Sequence, residues 1–600
     1  METETRLVRI CIEAACETRE SVEKWRRQRR TLERIPSPLA DAMLRRLLHR
    51  RLLFPSLLEV FKQSVEVVDL RGENAVDAEW LAYLGAFRYL RSLNLADCRK
   101  INGSALWALT GMTSLRELDL SRCAKVADAG IKHLLSISTL EILRISETGL
   151  TADGVTLLSL LRNLSVLDLG GLPVTDTALS SLQVLKKLEY LDLWGSNISN
   201  KGSTVLQLFP KLSFLNLAWT SVTRLPNLSS LECLNLSNCV IESVFEGDGN
   251  KAPLTKLIYS GATFANEADV FLHIEPSFLS FLDVSNSSLQ GFYFLPCMKM
   301  LEHLDLSSSM MGDDSVEFIA CIGANLRNLN LSKTRVTTAG VSILAQHVPK
   351  LESLSLSHAP VDDLAITYIG TIPSLKVVDL SNTNITGFIQ QVGEETNYIP
   401  SLTALQRLNC LQSLNLEHTQ VMDVALDPVS SFQELSHLSL KSASLTDAAL
   451  YNMSPLSKLT NLAICDAVLT NSALDLFRPP VSLKMLDLRG CWLLNKEAIS
   501  SFCKKHPLVE VRHELLGVSP SDQGSCDRSS PSQIFLKPSQ MHRKQGKMPM
   551  SEYFIDQRLK YNREELLSLR YQSLSHGSAP DRGLVMPKMQ PDEKDKLPLG

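Results

Sequence analysis

A chain of 600 residues with 44% hydrophobic and 21% charged content has the make-up of a soluble folded protein. Its net charge of −4 hides an acidic body: residues 63–515 carry 34 basic and 46 acidic side chains, a balance that repels phosphate and argues against a nucleic-acid platform. The thirteen cysteines are odd in number, scattered and without a C-x-x-C, which predicts reduced thiols in the cytoplasm or nucleus. The opening Met1-Glu-Thr-Glu-Thr-Arg6 has no apolar core of a signal peptide, and no apolar run reaches bilayer length, so neither secretion nor a membrane is expected.

Residues 1–62 predict two helices. Leu7, Ile10, Cys11, Ala14 and Ala15 recur at helical spacing on one face. After the charged stretch Glu23–Arg30, Ser37 is placed to cap a second helix with Pro38 at its first position, and Leu39, Met43, Leu44, Leu47 and Leu48 form its apolar stripe.

From residue 63 to 515 one spelling returns about eighteen times. Leu115-Arg-Glu-Leu118-Asp-Leu120-Ser-Arg-Cys123 reads L-x-x-L-x-L-x-x-C, and most copies start roughly 24 residues apart. The pattern is that of leucine-rich repeats. It predicts an α/β solenoid, a horseshoe with a parallel sheet on its concave side, a mostly helical convex side and an N-terminal helical cap. The ninth position is Cys, Thr, Ser or Ala more often than Asn, and a thiol or hydroxyl there can still meet a backbone group. Returning limbs such as Asp128–Leu134 and Thr175–Leu179 begin with a capping residue. The rhythm breaks twice. The coil from Leu212 to Leu231 leaves no room for a helix at Thr223-Arg-Leu-Pro226, and 384–400 is an insertion that must leave as a surface loop.

Residues 516–600 turn polar and Pro-punctuated and read as a mostly disordered tail. A possible helix at 551–573 interrupts it, with Ile555, Leu559, Leu566 and Leu569 on one face, able to dock on the solenoid or on a partner.

Catalytic, phosphate-cradling and metal-ligating motifs are absent, so no enzyme, cofactor or metal is expected. Two constellations could carry function. The first is N-terminal. Leu7-x-x-x-Cys11-x-x-x-Ala15 resembles the elongin C-binding box of substrate receptors in elongin BC–cullin ubiquitin ligases, and Ile35-Pro36-x-x-Leu39-x-x-x-Met43 resembles the cullin-selecting box that follows it. Together, ahead of leucine-rich repeats, they resemble the zyg-eleven type of receptor. That resemblance implies elongin C and a cullin as partners and a role as substrate-recognition subunit, without the armadillo-like domain of that family. Ile35–Leu39 also reads as a degenerate F-box for a related adaptor, and both helices read equally as a cap on the first coil. A scaffold unrelated to ubiquitin is the alternative role.

The second constellation is concave. The second, third and fifth residues of L-x-x-L-x-L face outward, and the fifth is acidic or amide in many coils, among them Asp119, Asp168, Asp192, Asn216, Asp283, Asp305 and Asp379. Tyr190, Phe214 and Phe281 fall at the third position, with Trp194 and Trp219 just past their strands. These five are candidate anchors for a protein partner, unless the tryptophans tuck into the turns between coils.

Overall fold

The structure, a computed structural model, describes residues 2–27, 35–246, 251–267, 270–391, 397–516 and 560–571. Among the described residues three helices open it: α1 (Glu2–Ala15), α2 (Arg19–Arg26) and α3 (Ser37–His49). Thr18 caps α2, its hydroxyl accepting the Ser21 amide at 3.1 Å. Helix α3 starts one residue earlier than expected, with Pro36 at the cap position and no side-chain cap, so Ser37 is already inside the helix. Cys16, Met43, Leu44 and Leu47 bury the inner faces, Glu13 pairs with Arg46 and Arg50, and the Trp25 indole N–H donates to the Ala15 carbonyl at 2.9 Å.

The leucine pattern then dictates the body. Nineteen short strands, from Val67–Asp69 to Glu510–Arg512, join in chain order into one parallel sheet, one strand beyond the last copy counted in the sequence. Register is identical from coil to coil: Leu93, Leu118, Leu143, Leu167, Leu191 and Leu215 pair in succession at the fourth position of the motif. The first, fourth and sixth positions are buried, as Leu90, Leu93 and Leu95 show. Strand side chains alternate, so the third and fifth must face the concave side.

Two polar ladders lock neighbouring coils. At the ninth position Cys98, Cys123, Cys239 and Cys491 donate to carbonyls of the preceding coil at 3.1–3.2 Å. Where Thr takes this place it bonds within its own coil, as Thr148 does to the Ile145 carbonyl at 2.9 Å. The second ladder lies on the convex side. Asp128 does not cap its own helix; its carboxylate accepts both the amide and the hydroxyl of Thr151, the cap of the next coil's helix. Asp176 does the same for Ser199, Asp313 for Thr337 and Asp447 for Thr470.

Most convex limbs are α-helical or 3-10 helical. Between residues 224 and 264 short strands replace them, Arg224–Pro226 pairing with Ser243–Glu246 and Val240–Ile241 with Thr263–Phe264. The insertion forms an antiparallel hairpin, Phe388–Gln391 on Asn397–Pro400, with Tyr398 exposed at its side. Among the described residues no helix is long and apolar enough to cross a membrane.

Candidate functional site

The concave sheet divides sharply. From the fourth strand on, the third-position residues are Ile142, Val166, Tyr190, Phe214 and Cys233, then Lys256 and Phe281; beyond Phe281 they become His303, Asn328, Ser353, Val377, Ser413 and His437. Lys256 apart, the first set makes an apolar stripe. Tyr190 and Phe214, on adjacent strands, stack with ring centroids 4.2 Å apart and planes 8° from parallel, and Phe281 stacks on His303 at 4.1 Å.

The pattern alone expects this stripe to face solvent. Instead Val166, Tyr190, Phe214, Cys233, Ile258 and Phe281 are buried, because a segment of the tail lies on them. Lys560 and Tyr561 enter first and the helix Arg563–Tyr571 follows. Leu566 is the apolar anchor, 1% exposed within the stripe, and half-buried Leu567 and Leu569 flank it. Tyr561 meets Phe281 edge-on at 6.3 Å. Of the tail face proposed from sequence, Leu566 and Leu569 therefore pack on the solenoid, whereas Ile555 and Leu559 lie outside the described residues.

The polar half of the seat explains why so many fifth positions are Asp or Asn. One oxygen of each accepts the amide two residues on, closing the turn that ends its strand: Asp168 from Gly170, Asp192 from Trp194, Asn216 from Ala218, Asp283 from Ser285 and Asp305 from Ser307, all at 2.9–3.1 Å. This role is structural, and the repeat pattern does not reveal it. It leaves the second carboxylate oxygen for other partners. Asp283 Oδ2 accepts the Tyr561 hydroxyl at 2.6 Å and lies 2.5 Å from the Lys560 ammonium; Asp305 Oδ2 lies 2.8 Å from the same ammonium. Ser285 Oγ, at 2.5 Å, supplies a third acceptor, so all three ammonium donors are used.

Burial pushes the Asp305 carboxyl up, but the Lys560 ammonium and the hydrogen bonds from Lys560 and Ser307 outweigh it and hold the group below the ordinary carboxylate range. Burial pushes the Cys233 thiol up to about 12, which keeps it protonated and unreactive under the tail.

The segment also crosses the horseshoe. Glu564 pairs with Arg71 on the first coil, while Lys560 pairs with Asp283 on the tenth. Nine strand spacings, about 43 Å of sheet, separate those coils, yet four residues of chain span at most about 14 Å. The concave face must therefore curl round the segment, which struts its two sides.

Trp194 is a packing residue, not an anchor: it is 5% exposed and lies on the turn of the preceding coil, where a Cβ on Gly170 would come within 2.1 Å of its ring nitrogen. Trp219 keeps half its surface exposed in a left-handed turn (φ 59°). At the N-terminus Cys11 is exposed beside Val8 and Ile10, Ala15 is half-buried, and the Leu7 side chain lies outside the described set. In the second box Pro36 is exposed and Ile35 and Leu39 are half-buried. Met43 is buried beneath α1, its carbonyl near the Cys16 thiol at 3.9 Å, so it serves packing and cannot reach a partner. Among the described residues no His, Cys, Asp and Glu gather into a metal site.

Comparison with known proteins agrees on the architecture. The family described as Leucine Rich repeat matches residues 111–135, the coil around the Leu115–Cys123 motif. The fold is a leucine-rich-repeat solenoid. Its repeats suggest a protein-interaction module. No curated protein matches this sequence. Among solved structures, a leucine-rich-repeat protein of Leptospira interrogans is similar at 15% identity, covering 77% of this chain and 98% of its own, with a TM-score of 0.42. An internalin from Listeria monocytogenes is similar at 18% identity over 68% of this chain and 88% of its own, TM-score 0.31.

Proposed function

We propose that this leucine-rich-repeat solenoid is a non-enzymatic recognition subunit whose binding site is the concave sector between Ile142 and Asp305. One observation carries the reading: this sector already buries a polypeptide helix, seating Leu566 on an apolar stripe and Lys560 between two carboxylates. Rigid strands present the stripe without an ordering penalty, and a buried aromatic core with a polar edge is how protein interfaces concentrate affinity. The free thiols fit a reducing compartment, cytoplasm or nucleus.

A second reading concerns what the module serves. We infer that the N-terminal helices dock an adaptor, elongin C through α1 or an F-box-binding relative through Ile35–Leu39, so that the horseshoe delivers targets to a cullin-type ubiquitin ligase. The exposed Ile10 and Cys11 support it, since the cap of the first coil does not bury them. In that setting catalysis would be positioning alone, raising the effective concentration of the target lysine.

The test separates the two faces. With a target in hand, Phe214→Asp should lose capture, while Trp107→Asp, on an exposed convex limb, should keep it. Capture that survives Phe214→Asp and fails with Trp107→Asp would move recognition to the convex side. Elongin C binding to the full chain should fall with Cys11→Asp at an unchanged melting temperature; a wild type that binds neither elongin C nor an F-box-binding adaptor removes the ligase reading.

A further inference from the structure

The seat on the concave sector is specific in chemistry. It takes a primary ammonium and a phenol from adjacent residues, then a leucine five positions after the phenol on a helix that starts directly behind it. Each requirement is met by the solenoid, with Asp283 serving two of them: Asp283, Asp305 and Ser285 hold Lys560, Asp283 and Phe281 hold Tyr561, and the apolar cluster of Val166, Tyr190, Phe214 and Ile258 takes the leucine.

We infer that residues 560–571 are a resident competitor for the recognition site, and that the partner which displaces them offers the same elements: a Lys–Tyr-like pair leading into a Leu-bearing amphipathic helix. The inference rests on reading the concave sector as the recognition surface. Charge supports the choice of occupant. The body is acidic, and the two buried carboxylates of the seat have neutral donors but no cation from the solenoid among their described contacts, so an apolar helix without the leading ammonium leaves both without a counter-charge.

The tether sets the threshold. Forty-three residues separate Leu516 from Lys560, enough for about 150 Å when extended. A tether of that length gives a local concentration on the order of 1 mM or somewhat less. If the tail seats with an intrinsic Kd of about 10 µM, a free helix would then bind the intact chain roughly a hundred-fold more weakly than a chain whose tail is released. An effective partner must bind more tightly than the tail or act after its release.

The probe is a fluorescent peptide spanning residues 558–573, titrated by anisotropy into two full-length proteins, wild type and Tyr561→Ala/Leu566→Asp. Both substitutions lie in the tail, and the melting of the solenoid checks that it is intact. The expected result is binding to the released variant at least ten-fold tighter than to wild type, lost when the peptide's own Lys560 and Tyr561 are alanine. Equal binding to the two proteins, or none to the released one, overturns the inference. So does a wild-type dimer that dissociates in the variant, because the occupant is then the tail of a second copy. A released variant that ignores the peptide but still captures a target through Phe214 overturns the competitor alone; loss of both removes the concave reading with it.

Discussion

Two sectors of one sheet, built on the same backbone and in the same register, have opposite fates. Between Val166 and Asp283 every residue of the concave strands is buried; from Asn328 to Asp379 only the inward residue of each strand is. The leucines are alike in the two, so the fold cannot be the cause. The difference lies in the third position, where Tyr190, Phe214 and Phe281 give way to Asn328 and Ser353. An apolar stripe exposed over several adjacent strands is costly in water and recruits a cover. A stripe of Ser and Asn is solvated and stays open. In a solenoid, then, the inner positions make the fold and the third position decides where anything sits on it.

The sharpest way to break this contrast is Leu566→Asp. A carboxylate at the centre of the apolar seat would have no partner, a penalty of about 3 kcal/mol or more, so the segment should leave. Amide hydrogen exchange across 560–571 should lose its protection, and alkylation of Cys233 should rise towards that of the exposed Cys11, Cys297 and Cys410. Unchanged Cys233 labelling would mean that something else covers the stripe.

Next in size is Lys560→Ala. Removing the ammonium leaves Asp283 and Asp305 buried with one cation fewer, and breaking such a pair costs about 3–5 kcal/mol, here drawn from docking. Adding Asp305→Asn should recover part of the loss; no recovery would show that the lysine acts through packing. Acid provides the same test without mutation. The folded Asp305 is depressed, so its contribution is full above the ordinary carboxylate range and is lost as pH falls below that range. Docking followed by Cys233 protection should weaken in that window and not between pH 6 and 8.

Much of this architecture is legible in the amino-acid sequence alone. The L-x-x-L-x-L spacing carries the sheet, its register and its curvature, because period-two alternation and a fixed repeat leave no other way to bury the leucines. Tyr190, Phe214 and Phe281 are legible as concave residues from their place in the motif. Their cover is not: what seats on them lies more than 270 residues away, and no periodicity links the two. The double duty of Asp283, one oxygen to its own turn and the other to Tyr561, is invisible because a sequence shows an acidic position without showing how its oxygens divide. Trp194 is ambiguous for a related reason. Whether an indole faces a partner or lies on Gly170 depends on the neighbouring coil, not on its own.

The third prediction sharpens the comparison between stripe and fold. Tyr190→Ala with Phe214→Ala removes the stacked pair that the tail covers. In the intact chain this should weaken docking by about 2 kcal/mol or more, as for interface anchors. In a Leu566→Asp background the same pair should cost the solenoid no more than about 0.5 kcal/mol, the range of surface changes. Equal destabilisation in both backgrounds would make the pair part of the core and blur the line between the sectors.

The smallest effect belongs to the start of the docked helix, where the local sequence holds a signal finer than the broad 551–573 pattern. Asn562-Arg-Glu-Glu565 is a capping box: the Asn562 side-chain oxygen accepts the Glu565 amide at 2.9 Å, and the Glu565 carboxylate accepts the Asn562 amide at 2.8 Å. Glu564 and Glu565 also place negative charge at the helix N-terminus, where the backbone dipole favours it. The box fixes where the Lys560–Tyr561 pair ends and the helix begins, and so sets the spacing between the carboxylate seat and the leucine seat. Asn562→Ala should cost about 1 kcal/mol, typical of a lost cap. That is roughly a five-fold gain in the undocked population, since about 1.4 kcal/mol is tenfold. Asn562→Ser keeps a capping oxygen and should restore docking by the same hydrogen-exchange measure. If alanine and serine behave alike, the helix is held by Leu566 alone and its register against Asp283 is set elsewhere.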